Sequence, residues 1–309
     1  MAEDSIYNKH LDVFLLWACR ETGILEELLD GPVTAPDVAE GAGVTERAAT
    51  VSLAALAEMG YVEESADGYE ATAELDGFRP ETDVLERGIL PHRIDSLDHY
   101  MDLPELMETG EAPEHTEAGL RRYMAAMATI DDTTVRSIVT TAEHAHPRPE
   151  RVLDVGGGPG KISEEFARRG ADVTTLDIPP VVDLLESHHA EAGLDVVAGD
   201  ARESLPEGFD LVVSARMILS FSPEELGAYF ENAFDALEPG GTFMCTERVW
   251  DRSEIATNFA VHMLTVSPNG HMYTEAEYRE ALEAAGFVDT AVREVPDTPF
   301  QGIVGHKPD

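Results

Sequence analysis

Lysine is almost missing from this chain. Of 309 residues only Lys9, Lys161 and Lys307 are lysines, and 21 basic residues face 61 acidic ones, for a formal net charge of −40. That balance argues against nucleic-acid binding, which needs a basic footprint for phosphates. The acids are not gathered in one tail. They run through segments with clear apolar periodicity, and 43% of the chain is hydrophobic, so the shortage of core-forming residues that accompanies acidic disorder is absent. The expectation is a folded protein with a solvated acidic surface that repels itself unless salt screens it, as in the high-salt cytoplasm of a halophilic archaeon. Cysteine is scarce as well. Cys19 and Cys245 are too few for a disulfide framework, and both stand in apolar segments that predict buried thiols. Long hydrophobic runs are also lacking. The run 13–18 is bounded by Asp12 and Arg20, and no basic stretch precedes it. It fits neither a signal peptide nor a membrane span, so a soluble, cytoplasmic protein is expected.

Local patterning predicts two regions. Ile6, His10, Val13, Phe14 and Trp17 share one helical face over 6–19, and a short helix covers 24–29. Thr34 with Asp37 makes a capping-box start to a helix ended by Gly41 and Gly43, and Thr45 caps a longer helix that Gly60 stops. Strands at 61–64 and 69–72 flank an Ala-Asp-Gly turn, completing a winged-helix pattern. Residues 80–145 read as helical but irregular, and His146-Pro147-Arg148-Pro149 as a linker. Strands and helices then alternate to the end of the chain: strands at 151–155, 172–176, 195–198, 211–215, 242–246, 287–292 and 300–306, with helices at 161–169, 181–190, 223–236, about 254–265 and 275–285. Such alternation predicts an α/β fold, a doubly wound, mostly parallel sheet wrapped by helices.

The segment richest in chemistry is Asp154-Val155-Gly156-Gly157-Gly158-Pro159-Gly160, which leaves an apolar strand and opens a helix. Glycines let backbone approach a ligand closely, and a helix N-terminus offers free N–H donors. The dinucleotide pattern G-x-G-x-x-G fails because Lys161 stands three after Gly158. The phosphate-loop pattern fails because Val155 falls at its first glycine and Ile162 at its Ser or Thr. The remaining pattern, D-x-G-x-G-x-G, resembles motif I of class I S-adenosylmethionine (SAM)-dependent methyltransferases. Asp177 ends the next strand, where a carboxylate can accept both hydrogen bonds of a ribose diol. Asp200 follows the third strand, where it can accept from an adenine amino group. A lone strand-end aspartate often only caps the next helix; three at successive strand ends beside a glycine loop are harder to read that way.

The whole chain resembles the caffeic-acid/hydroxyindole, or plant-type, O-methyltransferase family. The matching stretches are "VTAPDVAEGAGVTERAATVSLAALAEMGYVEE", "RRYMAAMA", "VLDVGGGPG", "LDIPPVV", "GDARESLPEGFDLVVSARMIL", "LEPGGTFMCTERV" and "YTEAEYREALEAAGF", in the family's order. The resemblance implies a Rossmann-like SAM-methyltransferase domain preceded by a helical winged-helix domain that pairs two copies into a homodimer, with 1–100 forming the latter and 101–309 the connector and catalytic domain. It implies SAM as cofactor and a small acceptor, with O-methylation expected and C- or N-methylation as alternatives. Cofactor contacts fall on Asp154, Gly156, Gly158, Asp177, Ile178, Asp200, Ala201 and Arg216. No metal is implied.

The chain departs from the family at the catalytic base. The family's "L-H-D-W" histidine aligns with Ser220, in Ile218-Leu219-Ser220-Phe221-Ser222-Pro223, and its supporting acids are replaced in Ala260-Val261-His262-Met263 and Gly270-His271-Met272-Tyr273. A serine hydroxyl is no base near neutral pH without an activator. Replacements lie at His262, His271 and Tyr273. A histidine has the right ordinary pKa for a general base, and Asn258-Phe259…His262 resembles a pattern in the family's bacteriochlorophyllide C-methyltransferase branch, which also lacks that histidine. A core or surface role for His262 is equally compatible with the sequence, and for His271 a solvated loop role is the better reading. Alignment of an already acidic nucleophile can also supply much of the acceleration without a base. Met124, Met127, Met217, Phe221, Phe259 and Met263 suggest an apolar pocket for a flat acceptor, though methionine stripes are more often plain core. Adjacent His188 and His189 are not expected to face one site, which argues against a metal role. Two other functions compete: a SAM-binding protein without methyl transfer, and a winged-helix DNA-binding regulator. The latter is disfavoured because the second helix of the motif carries only Arg47 as a cation.

Overall fold

The computed structural model describes residues 11–111, 116–267 and 269–309. They fall into two compact units, one taking the chain up to Met101 together with Thr116–Thr129, the other holding Ile130–Asp309 and the segment that starts at Asp102.

In the first unit, α1 (Leu11–Thr22), α2 (Ile24–Leu29), α3 (Ala35–Gly41) and α4 (Glu46–Glu58) precede an antiparallel hairpin of β1 (Val62–Ser65) and β2 (Gly68–Ala71). The capping residues behave as their chemistry dictates. Thr34 and Asp37 close a reciprocal capping box at α3, and Thr45 accepts from the Ala48 N–H at α4. Leu16, Cys19, Leu25, Leu28, Val38, Leu53 and Leu56 close one apolar core. Of the α1 face predicted to be apolar, Val13 and Trp17 pack half-buried against this core and Phe14 is 46% exposed, while Ile6 and His10 lie outside the described residues. Helix α5 (Leu90–Met101) is tied to α1 by polar groups. Trp17 Nε1 donates to Asp98 (2.6 Å) and Arg20 pairs with Asp95 (2.9 Å) and Asp98. In the second unit α6 (Leu103–Thr109) follows, and α7 (Glu117–Ala128) of the first unit joins the same polar cluster through Arg122 and Asp95.

The second unit continues with α8 (Asp132–Ala145), β3 (Arg151–Val155), α9 (Lys161–Arg169), β4 (Asp172–Asp177), α10 (Pro179–Ala192), β5 (Asp195–Ala198), β6 (Phe209–Ala215), α11 (Pro223–Ala236), β7 (Leu237–Glu247), α12 (Ala256–Val266), α13 (Glu275–Ala284), β8 (Val288–Glu294) and β9 (Gln301–His306). Seven strands form one sheet in the order β5-β4-β3-β6-β7-β9-β8. The first five are parallel, and β9 joins β7 and β8 antiparallel, so the expected α/β, mostly parallel sheet is present. Successive strand residues point to opposite faces. Leu211 and Val213 therefore pack with Ile138, Val139 and Phe166 of α8 and α9, while Val212 packs with Tyr229 and Phe230 of α11. Strands buried on both faces explain the nearly unbroken apolar runs. Chain order reverses between β3 and β6. At such a switch point the loops leaving the two strands diverge and open a crevice, where α/β sheets place their ligands.

Candidate functional site

The parallel register brings the carboxyl ends of β3, β4, β5, β6 and β7 to one edge. Val155 pairs with Leu176 and Ser214, Asp177 with Ala198, and Ala215 with Thr246. The glycine loop leaves β3 there. Gly156, Gly158 and Gly160 take left-handed backbone conformations with φ of +69°, +51° and +82°, which residues with a Cβ rarely adopt. The Gly156 N–H donates to Leu176 O (2.7 Å) and the Gly160 N–H to Gly157 O (2.9 Å), folding the loop onto the end of β4. A Cβ on Gly156 would stand 2.6 Å from the Met217 sulfur, so only glycine lets the loop pack this closely against the turn that follows β6.

Asp177 is 9% exposed. Its Oδ2 accepts from the Gly158 N–H and its Oδ1 from the Ile178 N–H, both at 2.8 Å. Each oxygen keeps a lone pair, so the carboxylate can still receive two donors from a diol. Burial raises its pKa, opposed by those two N–H groups. Ile178 is half in the open at the start of α10. Asp154 is turned inward at 1% exposure, accepting from the Ser163 hydroxyl (2.6 Å), which also meets Thr175 (2.7 Å). Its place is beneath the loop, and burial pushes its pKa up to about 6. Asp200 is gripped by Arg202, whose Nη2 lies 2.6 Å away, and Arg202 also pairs with Glu225. That hydrogen-bonded guanidinium holds the Asp200 pKa down. Ala201 is buried, its carbonyl accepting from Asn232 Nδ2 (2.9 Å).

Across the switch point, Arg216 follows β6 in a left-handed conformation (φ +57°), with its N–H donated to Thr246 O (3.0 Å). A short 3₁₀ turn, Ile218–Ser220, comes next. The Ser220 hydroxyl donates to Met217 O (3.0 Å), and its carbonyl accepts from the Ser267 hydroxyl (3.0 Å). The Ser220 proton is thus spent on local backbone geometry. His262 lies half-buried on α12, its ring 5.5 Å from that of Phe259; Phe259 in turn carries the Arg248 guanidinium at 5.3 Å. His271 is anchored by its N–H to Leu219 O (2.9 Å), with its ring edge-on to Tyr273 (4.6 Å) and Nε2 3.9 Å from Glu277. Tyr273 is buried, its hydroxyl donating to Phe221 O (2.6 Å), and burial raises its pKa. That phenol is committed to the fold.

Two features escaped the sequence reading. Glu247 ends β7 at 2% exposure, and its Oε1 accepts from the Ile218 N–H (3.0 Å). Desolvation pushes its pKa up to about 8, opposed by that N–H and by the charge of Arg216. Its signal was one acid closing an apolar strand, "TFMCTE". The second is the pair His188 and His189. Their Nε2 atoms reach Pro159 O (3.0 Å) and Gly158 O (2.8 Å), so both address the glycine loop; its carbonyls are spaced along α10 and each ring finds its own.

A doubly wound sheet with a left-handed glycine loop and an acceptor carboxylate at its switch point defines a nucleotide-type cofactor site. Comparison with known proteins makes it specific. A family model for the O-methyltransferase domain matches residues 107–288. The 3-hydroxy-5-methyl-1-naphthoate 3-O-methyltransferase of Streptomyces sahachiroi is 28% identical over 94% of this chain and 90% of its own length. The bacteriochlorophyllide d C-20 methyltransferase of Chlorobaculum tepidum is 31% identical over 50% of this chain and 49% of its own. The crystal structure of human N-acetylserotonin methyltransferase in complex with SAM superposes with a TM-score of 0.73 at 21% identity, covering 100% of this chain and 99% of that one. The chain belongs to the O-methyltransferase domain family and is a SAM-dependent methyltransferase.

Proposed function

We propose that this chain methylates a hydroxyl of a small aromatic acceptor. The observation that carries the reading is the switch-point constellation, the left-handed glycine loop tied to Asp177. When bound there, SAM supplies an electrophilic methyl group on a sulfonium sulfur. Asp177 receives the donors of its ribose, Gly156 and Gly158 give close backbone approach, Ile178 and Ala201 flank its base, and Arg216 lies at the β6 end. Asp200 serves the adenine amine from the lone pairs that Arg202 leaves. Asp154 shapes the loop from below.

On the acceptor side, Phe221 and Met263 are buried in one apolar cluster, with Met217 and Phe259 packed against it, a surface suited to a flat ring. The naphthoate-acting relative supports an aryl hydroxyl. His262 orients or deprotonates that hydroxyl, and Ser220, whose proton is held by Met217 O, serves as a neutral hydrogen-bond partner through its remaining lone pairs. Incubation with SAM and hydroxynaphthoates or hydroxybenzoates in molar KCl, read by mass spectrometry, should yield S-adenosylhomocysteine and a methoxy product. A carbon-methylated product would replace the reading with C-methylation, which the bacteriochlorophyllide relative favours. S-adenosylhomocysteine binding without turnover of any acceptor would leave a SAM-binding protein.

The winged-helix elements within residues 1–100 serve dimerisation in this proposal, with exposed Phe14 on the pairing face, while 101–309 carry connector and chemistry. A monomer by light scattering in molar salt would contradict it. The net charge of −40 further supports a halophilic origin. The melting temperature should then climb steeply from low to molar KCl as repulsion is screened, and a flat profile would remove that support. Among the described residues no helix is long and apolar enough to cross a membrane.

A further inference from the structure

We propose that His189, assisted by His188, is a positioning residue for the cofactor loop, holding the Gly158 carbonyl so that the glycine loop is pre-set to receive SAM. The inference rests on the SAM site described above and adds residues to it that the family pattern does not supply. Gly158 is held at both of its backbone polar groups. Its N–H donates to Asp177 Oδ2 and its carbonyl accepts from His189 Nε2, each at 2.8 Å. The next carbonyl, that of Pro159, accepts from His188 Nε2 at 3.0 Å. Proline has no N–H, so the loop cannot be tied at that residue by a backbone donor of its own, and side-chain donors from α10 take over. The turn that follows α10 also packs directly under the loop: a Cβ on Gly160 would stand 2.5 Å from Leu194 Cδ1.

His189 is 3% exposed and its Nδ1 has no hydrogen-bond partner. A carbonyl oxygen can only accept, so Nε2 carries the proton. An Nε2–H imidazole thus satisfies the Gly158 carbonyl. Burying that unpaired nitrogen is unfavourable, and a leucine would avoid it. The loop bond is what the imidazole accomplishes there. His188 does the same for Pro159 from a wetter position, with Glu164 3.9 Å from its Nε2.

The test uses the full chain in molar KCl. S-adenosylhomocysteine is titrated calorimetrically into the wild type, His189→Leu, His189→Gln, His189→Asn and Asp177→Ala. His189→Leu should weaken binding about tenfold, the scale for a buried acceptor left unmet, and should raise KM for SAM without raising KM for the acceptor. His189→Gln, whose terminal amide reaches where Nε2 stood, should restore most of the affinity. His189→Asn is too short and should not. On the wild type, ¹⁵N–¹H correlations should show a proton on His189 Nε2, a reading independent of whether any variant folds. Wild-type affinity in a folded His189→Leu, equal weakness of His189→Gln and His189→Leu, or an Nε2 without a proton would each overturn the inference. Loss of binding in Asp177→Ala with none in His189→Leu overturns it alone. A wild type that does not bind S-adenosylhomocysteine overturns it together with the SAM site.

Discussion

The two sides of the switch point are built by different means. On the β3–β4 side, backbone is held by backbone and by buried side chains at distances near 2.8 Å: Gly156 by Leu176, Gly158 by Asp177 and His189, Asp154 by Ser163. On the β6–β7 side, the turn Ile218–Ser220 is fastened by the buried carboxyl of Glu247, by the hydroxyl of Ser220 itself, and by Ser267 reaching from beyond α12. The first side is a cradle of glycine backbone. The second is assembled from particular side chains, among them that of Ser220 within its own turn. The first side thus rests on backbone conformation and the second on the identity of single side chains.

The comparison breaks first at His262. If the acceptor side keeps a base, His262→Ala should lower the rate about 10²–10⁴-fold, the range for general-base catalysis, with cofactor affinity nearly intact; steady-state kinetics with calorimetry check both. An unchanged rate would assign the acceleration to alignment of an acidic acceptor.

Glu247 sharpens it next. Its folded pKa of about 8 lies above the ordinary 4.5, so the folded state holds a proton that the unfolded state releases. Stability from this group is therefore lost as pH rises from about 4.5 to about 8, and the loss levels off above that. Glu247→Gln keeps an oxygen for the Ile218 N–H and removes the ionisation. Relative to wild type it should gain stability on the order of a few kcal/mol above pH 8 and nothing at pH 4, measured by denaturant unfolding at both pH values. An equal difference at both would refute a buried ionisation.

On the cofactor side, Asp177→Ala should weaken S-adenosylhomocysteine binding by about 1–3 kcal/mol, the scale for buried polar groups left unpaired. It strips Gly158 of its partner as well as the ribose of its acceptor. Unchanged affinity in a folded variant would dissolve the cradle reading. The smallest effect is expected at Ser220→Ala. Its hydroxyl bonds within its own turn, so the rate should fall by less than about tenfold, well below the general-base range. A loss as large as that of His262→Ala would make Ser220 the centre of the acceptor side.

Much of the fold was legible because its signals are local. Thr34, Asp37 and Thr45 cap helices with side chains three residues away. The alternation of strands and helices after residue 150 implied a parallel sheet, and parallel strands place Asp154, Asp177 and Asp200 at one edge whatever the packing. The final strands at 301–306 and 288–294 were also visible; their antiparallel pairing was not, since direction follows from the connections.

What the sequence by itself determined is therefore the cofactor side in outline: a glycine loop after a strand, acids at successive strand ends, and a chemistry set by residue type and spacing. Tertiary structure alone decided how those groups are used. It turned Asp154 beneath the loop, bound Asp200 to Arg202, committed Tyr273 to the Phe221 carbonyl, and brought two adjacent histidines of α10 onto the loop. The reason is physical. A residue's type and local spacing fix what it can donate or accept, but whether a carboxyl is buried, or an imidazole meets a carbonyl 31 positions away in the chain, depends on packing between elements, which no local pattern encodes.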